Sequence, residues 1–301
     1  MNRRDFASMT IGALLVSGIF FCFIYFSPED EYTRLPVSFS SSNVPIIEAK
    51  IGDIESPLEL DLGSKLELKL DANVLSKLEK RAGNPIHWRD LKGNCYESPS
   101  HILPHIEIGG LQHYRVVATE DSQECNRNTL LRSANQEQEE PIIHRGVLGR
   151  PLLKNRVLLL DFPGQAMVVC SKLDQLDREE ISPRKWHKIP LKLSRFGIIL
   201  SIETDLGPQQ FILDTGCTVT LIRAFQMKEP PPEEEIYGMK TFTSSKFTLA
   251  GEEFGPKRLY LFDIAPELSE VGGLLGMDFL SRHRIVLDLP HQTAYIEPVS
   301  Q

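Results

Sequence analysis

From Ile46 onward the chain alternates apolar and polar positions over short runs, as in Leu58-Glu59-Leu60, Leu66-Glu67-Leu68-Lys69-Leu70 and Ile106-Glu107-Ile108. Side chains of a strand point to opposite faces in turn, so a period of two predicts half-buried strands. Other runs are nearly all apolar, such as Arg156 to Leu160 closed by Asp161, and Ile285-Val286-Leu287. Gly, Pro, Asn and Asp interrupt them at short intervals, and an all-β fold follows. Helix candidates are short: Val74 to Lys80 and Asp278 to His283.

The start departs from this pattern, because Ala7 to Phe26 contains no charge and is long enough to span a bilayer as a helix. Arg3 and Arg4 precede it, and Glu29, Asp30 and Glu31 follow it. The positive-inside bias then sets the N-terminus in the cytoplasm and the rest outside it, as a single-pass signal anchor contacting the lipid bilayer through residues 7–26. A cleaved signal peptide is the rival reading, and Arg3-Arg4-Asp5-Phe6 is similar to a twin-arginine export signal, but no small-x-small cleavage site follows the apolar run. Residues 27–44 are rich in Ser, Pro and acidic residues, their end Ser38 to Asn43 shows no apolar periodicity, and they read as a tether.

The apolar pattern occurs twice. Val147-Leu148-Gly149 through Val168-Val169 aligns without gaps to Leu274-Leu275-Gly276 through Tyr295-Ile296 at an offset of 127, with seven of 23 positions identical, among them Asp161/Asp288, Pro163/Pro290 and Gln165/Gln292. Upstream, Ile106-Glu107-Ile108-Gly109-Gly110 pairs with Phe247-Thr248-Leu249-Ala250-Gly251, and Leu60-Asp61-Leu62-Gly63 pairs with Leu213-Asp214-Thr215-Gly216. The offsets there are 141 and 153, so the first copy carries 12 extra residues before Gly110 and 14 after it. The charged stretch 171–188 reads as a connector between the copies.

Composition narrows the function. Hydrophobic residues are 41% and charged residues 25% of 301, an ordinary globular balance, and the net charge of -8 with no basic stripe argues against nucleic acid as a partner. Cys22 lies in the apolar span, leaving Cys95, Cys125, Cys170 and Cys217. Cys95 and Cys125 fall in the two excess regions of the first copy, where a local staple would help, so an extracytoplasmic disulfide is expected to join that pair first. No Cys-x-x-Cys spacing suggests zinc, and Pro104 between His101 and His105 argues against a helical metal pair, so no cofactor is implied.

The chemistry centres on Phe211-Ile212-Leu213-Asp214-Thr215-Gly216, followed by Cys217-Thr218-Val219-Thr220-Leu221-Ile222 and answered later by Leu274-Leu275-Gly276. This combination resembles the retropepsin-like aspartic peptidases, in which an apolar strand delivers Asp-Thr-Gly to the base of a cleft and an apolar-apolar-Gly segment packs beneath it. The resemblance covers about 189–298 well and the first copy in outline. It implies two retropepsin-like β-barrel lobes related by a pseudo-two-fold, a first lobe over 45–170 and a second over 189–301, beside the anchor over 1–26 that the apolar run predicts. It also implies that Thr215 ties the two Asp loops together and that Gly216 lets the backbone approach closely.

Such chemistry needs two carboxylates sharing one proton, one acting as base toward water while the other, protonated, holds the substrate carbonyl. Asp61 is the matching residue of the first copy, followed by Leu62, Gly63 and Ser64. Leu62 stands where the family has Thr or Ser, so the first loop has no hydroxyl for its half of the interlock. Ser64 offers a hydroxyl to the Asp61 carboxylate. Three readings stay open: Asp61 with Asp214 in a single-chain pseudo-dimer, a homodimer using Asp214 twice, and a non-catalytic binding or scaffold protein that keeps the fold. The first two act on a peptide or protein substrate. In each copy a segment after the Asp loop, 236–246 and 85–99 with Trp88 and Tyr96, is a candidate flap over the cleft. Asp161 and Asp288, each two residues before Pro, read as turn residues.

Overall fold

A computed structural model describes residues 31–121, 145–224, 234–236 and 238–298 of the chain. Among the described residues strands dominate and helices are short, such as Ala72–Lys77 and Met277–Leu280, at the two places where the pattern predicts them. The first is capped by the Asp71 side chain, which accepts from the Asn73 N–H at 2.7 Å.

The repeated sequence folds into repeated structure. Hairpin Pro45–Ile51/Ile54–Asp61 corresponds to Ile198–Thr204/Gly207–Leu213, and each ends at one of the two Asp residues. In both, the second strand pairs in parallel with a short buried strand: Ile54–Asp61 with Gly146–Gly149, and Gly207–Leu213 with Gly273–Leu275. The turns 108–111 and 249–252 each carry two left-handed residues, Gly109 and Gly110 at φ 56° and 92°, and Ala250 and Gly251 at φ 47° and 88°. Paired positive φ values match the twist of the flanking strands, which is why glycine recurs there.

The two halves meet in one continuous sheet, in the order Tyr32–Pro36, Ala166–Cys170, Val157–Asp161, Arg284–Asp288, Thr293–Ile296, His187–Leu193. Its central pair, Val157–Asp161 against Arg284–Asp288, joins the aligned segments of the two copies. Asp161 accepts from Gly164 N–H at 3.0 Å, and Asp288 accepts from His291 N–H at 3.3 Å, so both close hairpin turns. The apolar faces of both halves form one buried cluster running from Leu35 to Ile296.

Two expectations are corrected here. The tether over 27–44 is in part folded: Tyr32–Pro36 is an outer strand of the shared sheet, and Ser38–Phe39 pairs with Pro45 and Ile46. Leu35 and Val37 are buried, and Tyr32 and Arg34 both bond Glu179 of the short helix Leu173–Glu179. The first half therefore begins near residue 31 rather than 45. The connector 171–188 likewise ends inside a strand, His187–Leu193. Among the described residues no helix is long and apolar enough to cross a membrane, and the candidate span 7–26 lies outside them. Cys125 also lies outside them, while Cys95 is exposed on the hairpin Ile86–Arg89/Cys95–Ser98.

Candidate active site

Asp61 ends its strand, Asp214 directly follows its own, and both line one cleft of about 740 Å³. Each carboxylate sits on the glycine of the opposite loop. A Cβ on Gly63 would lie 2.5 Å from the Asp214 carboxyl carbon, and one on Gly216 would lie 2.8 Å from that of Asp61. No side chain fits in either gap, so glycine at these positions is a requirement of the close approach.

Backbone amides orient both groups. Asp61 accepts from Ser64 N–H at 2.9 Å, and Asp214 accepts from Gly216 N–H at 3.0 Å. The Asp214 N–H itself donates to the Leu275 carbonyl at 3.0 Å, so the apolar-apolar-Gly segment does pack beneath the loop. Thr215 is fully buried and bridges to the other loop, accepting from Leu62 N–H at 2.9 Å and donating to the Leu60 carbonyl at 2.6 Å. The Leu62 side chain, also fully buried, has no hydroxyl to return, so the side-chain interlock is one-sided. Ser64 acts differently from expectation. Its backbone amide holds Asp61, while its hydroxyl accepts from Leu66 N–H at 3.3 Å.

Both carboxyl groups are pushed above the usual carboxylate range. For Asp61 the cause is desolvation, partly offset by the positive charge of Lys69. Asp214 is raised further, first by desolvation and then by the Asp61 charge beside it. Two like charges this close do not both ionise near neutrality, so the pair shares one proton.

The first-copy flap candidate, 85–99, reaches the cleft. The hairpin Ile86–Arg89/Cys95–Ser98 stacks Trp88 on Tyr96 with ring centroids 4.3 Å apart, and Trp88 donates to Ser98 Oγ at 3.0 Å. Its tip crosses to the second half, where the Leu91 carbonyl accepts from Ala265 N–H at 2.8 Å. Among the described residues of the other candidate, 236–246, none lines this cleft, and residue 237 at its turn lies outside them.

Two arginines had no forecast in the pattern. Arg150 donates to the Gly63 carbonyl at 2.8 Å and the Arg195 carbonyl at 3.1 Å, and its charge acts on both Asp residues. Arg223 is 1% exposed and donates to the carbonyls of Val271, Ile264 and Leu268, fixing the segment against which the flap tip rests. A charge inside the apolar run Leu221-Ile222-Arg223 was its only signal. His101 and His105 lie on the strand Ser100–Ile108, where His105 contacts Gln112 and Tyr114.

Among solved structures, the chain is similar to the aspartic proteinase from Irpex lacteus, with a TM-score of 0.57 and 13% identity over 90% of this chain and 98% of that one. No protein-family model matches the sequence, and no curated protein does either. The chain has an aspartic-proteinase fold, all-β as its alternation predicts.

Proposed function

We propose that the chain is an aspartic endopeptidase working as a single-chain pseudo-dimer, with Asp61 and Asp214 as its dyad. The observation that carries this reading is the reciprocal seating of each carboxylate on the glycine of the opposite loop. A homodimer using Asp214 twice would need its second Asp214 where Asp61 already lies.

In this mechanism the Asp61 carboxylate takes a proton from a water held between the two groups as the water oxygen attacks the scissile carbonyl carbon. Asp214 donates its proton to the carbonyl oxygen, giving a neutral tetrahedral diol. Collapse breaks the C–N bond, with the proton on Asp61 passing to the leaving nitrogen and a hydroxyl proton of the diol returning to Asp214. The Trp88 hairpin excludes water and holds the peptide extended. Cleavage of a peptide library by the wild type and by Asp214→Asn tests the assignment, and undiminished cleavage by the variant rejects it.

Residues 7–26 form a signal anchor in this reading, with the folded part extracytoplasmic. The strand at Tyr32 leaves only residues 27–31 as spacer, at most roughly 20 Å, so the peptidase works close to the bilayer surface. One observation favours a second reading, a non-catalytic binding protein: Leu62 removes half of the loop interlock.

A further inference from the structure

The cleft carries a charge opposite to that of the chain. The protein has 41 acidic against 33 basic residues, yet beyond the Asp pair the cleft is lined by five cations, Lys65, Lys69, Arg89, Lys92 and Arg195, and two anions, Asp90 and Glu267. Both anions are engaged. Asp90 accepts from Asn94 at 2.8 Å and Tyr96 at 3.1 Å, and Glu267 lies 3.9 Å from Arg89. Among the described residues, Lys65, Lys69, Lys92 and Arg195 have no carboxylate within ion-pairing distance.

These cations come from separate segments. Lys65 and Lys69 follow the Asp61 loop, Arg195 precedes the strand Ile198–Thr204, and Arg89 and Lys92 belong to the flap. Aromatic faces hold three of them: Lys69 lies 5.3 Å from the Trp88 ring centroid, Lys92 5.8 Å from Phe262 and Arg195 4.5 Å from Phe196. The Lys65 ammonium is pushed below its usual value by burial and then by the Arg150 and Arg89 guanidiniums, a crowding of like charge that an anion relieves. Walls of low dielectric focus such a field into the cleft.

We propose that the cleft selects extended peptides bearing acidic side chains near the scissile bond, with Lys65, Arg195, Arg89 and Lys92 as the residues that read them. This rests on the reading of the cleft as a peptide site, but it concerns binding and is separable from cleavage. The test uses the full chain in detergent as Asp214→Asn, with two labelled decapeptide libraries. They share a central apolar pair and differ only in Glu or Gln around it, and binding is read by fluorescence anisotropy. The Glu library is expected to bind about tenfold more tightly at low salt. That preference should shrink at high salt and fall toward parity in a Lys65→Gln/Arg195→Gln background.

Equal binding of the two libraries, no binding of either, or a preference that the double variant leaves intact overturns the proposal. Wild-type cleavage is measured in parallel. A Glu preference in binding without any cleavage supports this inference and removes the peptidase reading, whereas cleavage with equal binding does the reverse.

Discussion

Replacing Thr215 with Val preserves the volume and branching of a fully buried side chain and deletes only its hydroxyl. Two hydrogen bonds vanish, the one from Leu62 N–H and the one to the Leu60 carbonyl. A protein hydrogen bond contributes about 1 kcal/mol net, and a buried backbone group stranded without a partner costs about 1–3 kcal/mol. The expected loss of folding stability is therefore about 2–4 kcal/mol. A grip with hydroxyls on both loops would keep half of its bonds after this change. Here Leu62 supplies none, so one substitution removes the whole polar tie. Displacing the carboxylates by an ångström is expected to lower kcat/KM about 100-fold. Urea midpoints and kcat/KM measured on one preparation test both effects, with Thr215→Ser as the control that keeps the hydroxyl and should restore most of each. A Thr215→Val variant within about 0.5 kcal/mol of wild type and with unchanged kcat/KM would refute the claim that this side chain joins the loops.

Gly63→Ala and Gly216→Ala each drive a methyl into the opposite carboxylate, so both should abolish peptide cleavage and lower thermal stability by about 1–3 kcal/mol; either variant cleaving normally contradicts the reciprocal seating. The raised values of the Asp pair set a pH dependence: a group whose folded pKa exceeds its unfolded value of about 3.9 contributes stability that is full below that value and lost as pH rises through the folded one. Asp214→Asn should therefore be more stable than wild type at neutral pH, with the difference disappearing toward pH ~3 at no more than about 1.4 kcal/mol per pH unit per proton. Denaturation midpoints across that range check the sign. Trp88→Ala removes the ring stacked on Tyr96, worth about 1 kcal/mol, and should raise KM more than it lowers kcat in steady-state kinetics. The anchor is checked by alkaline extraction of membranes from expressing cells, after which the full chain should remain in the pellet.

Much of this was legible because the chain repeats itself. The gapless match that includes Gln165 and Gln292 marks equivalent hairpins, and the same order of segments upstream, at larger offsets, pairs Asp214 with Asp61 without any structure. Other features depend on contacts between distant parts of the chain, which local pattern does not encode. Tyr32–Pro36 is five residues long within a Ser- and Pro-rich stretch, and its partner strand starts only at Ala166. The docking of Leu91 on Ala265, the Arg150 bond to Gly63 and the basic cleft each join segments far apart in sequence. For Ser64 the residue was right and the atom wrong. In a tight turn the amide three positions after Asp61 already points at the carboxylate, leaving the hydroxyl for Leu66.

The central claim is that one chain supplies both members of the dyad, and kcat/KM of Asp61→Asn on a peptide cleaved by the wild type tests it most directly. If Asp61 is the base, that variant loses about 10²–10⁴-fold in kcat/KM while keeping the denaturation profile of a folded protein. Full activity in Asp61→Asn, with loss only in Asp214→Asn, would contradict the single-chain dyad and assign the second carboxylate to another copy of the chain.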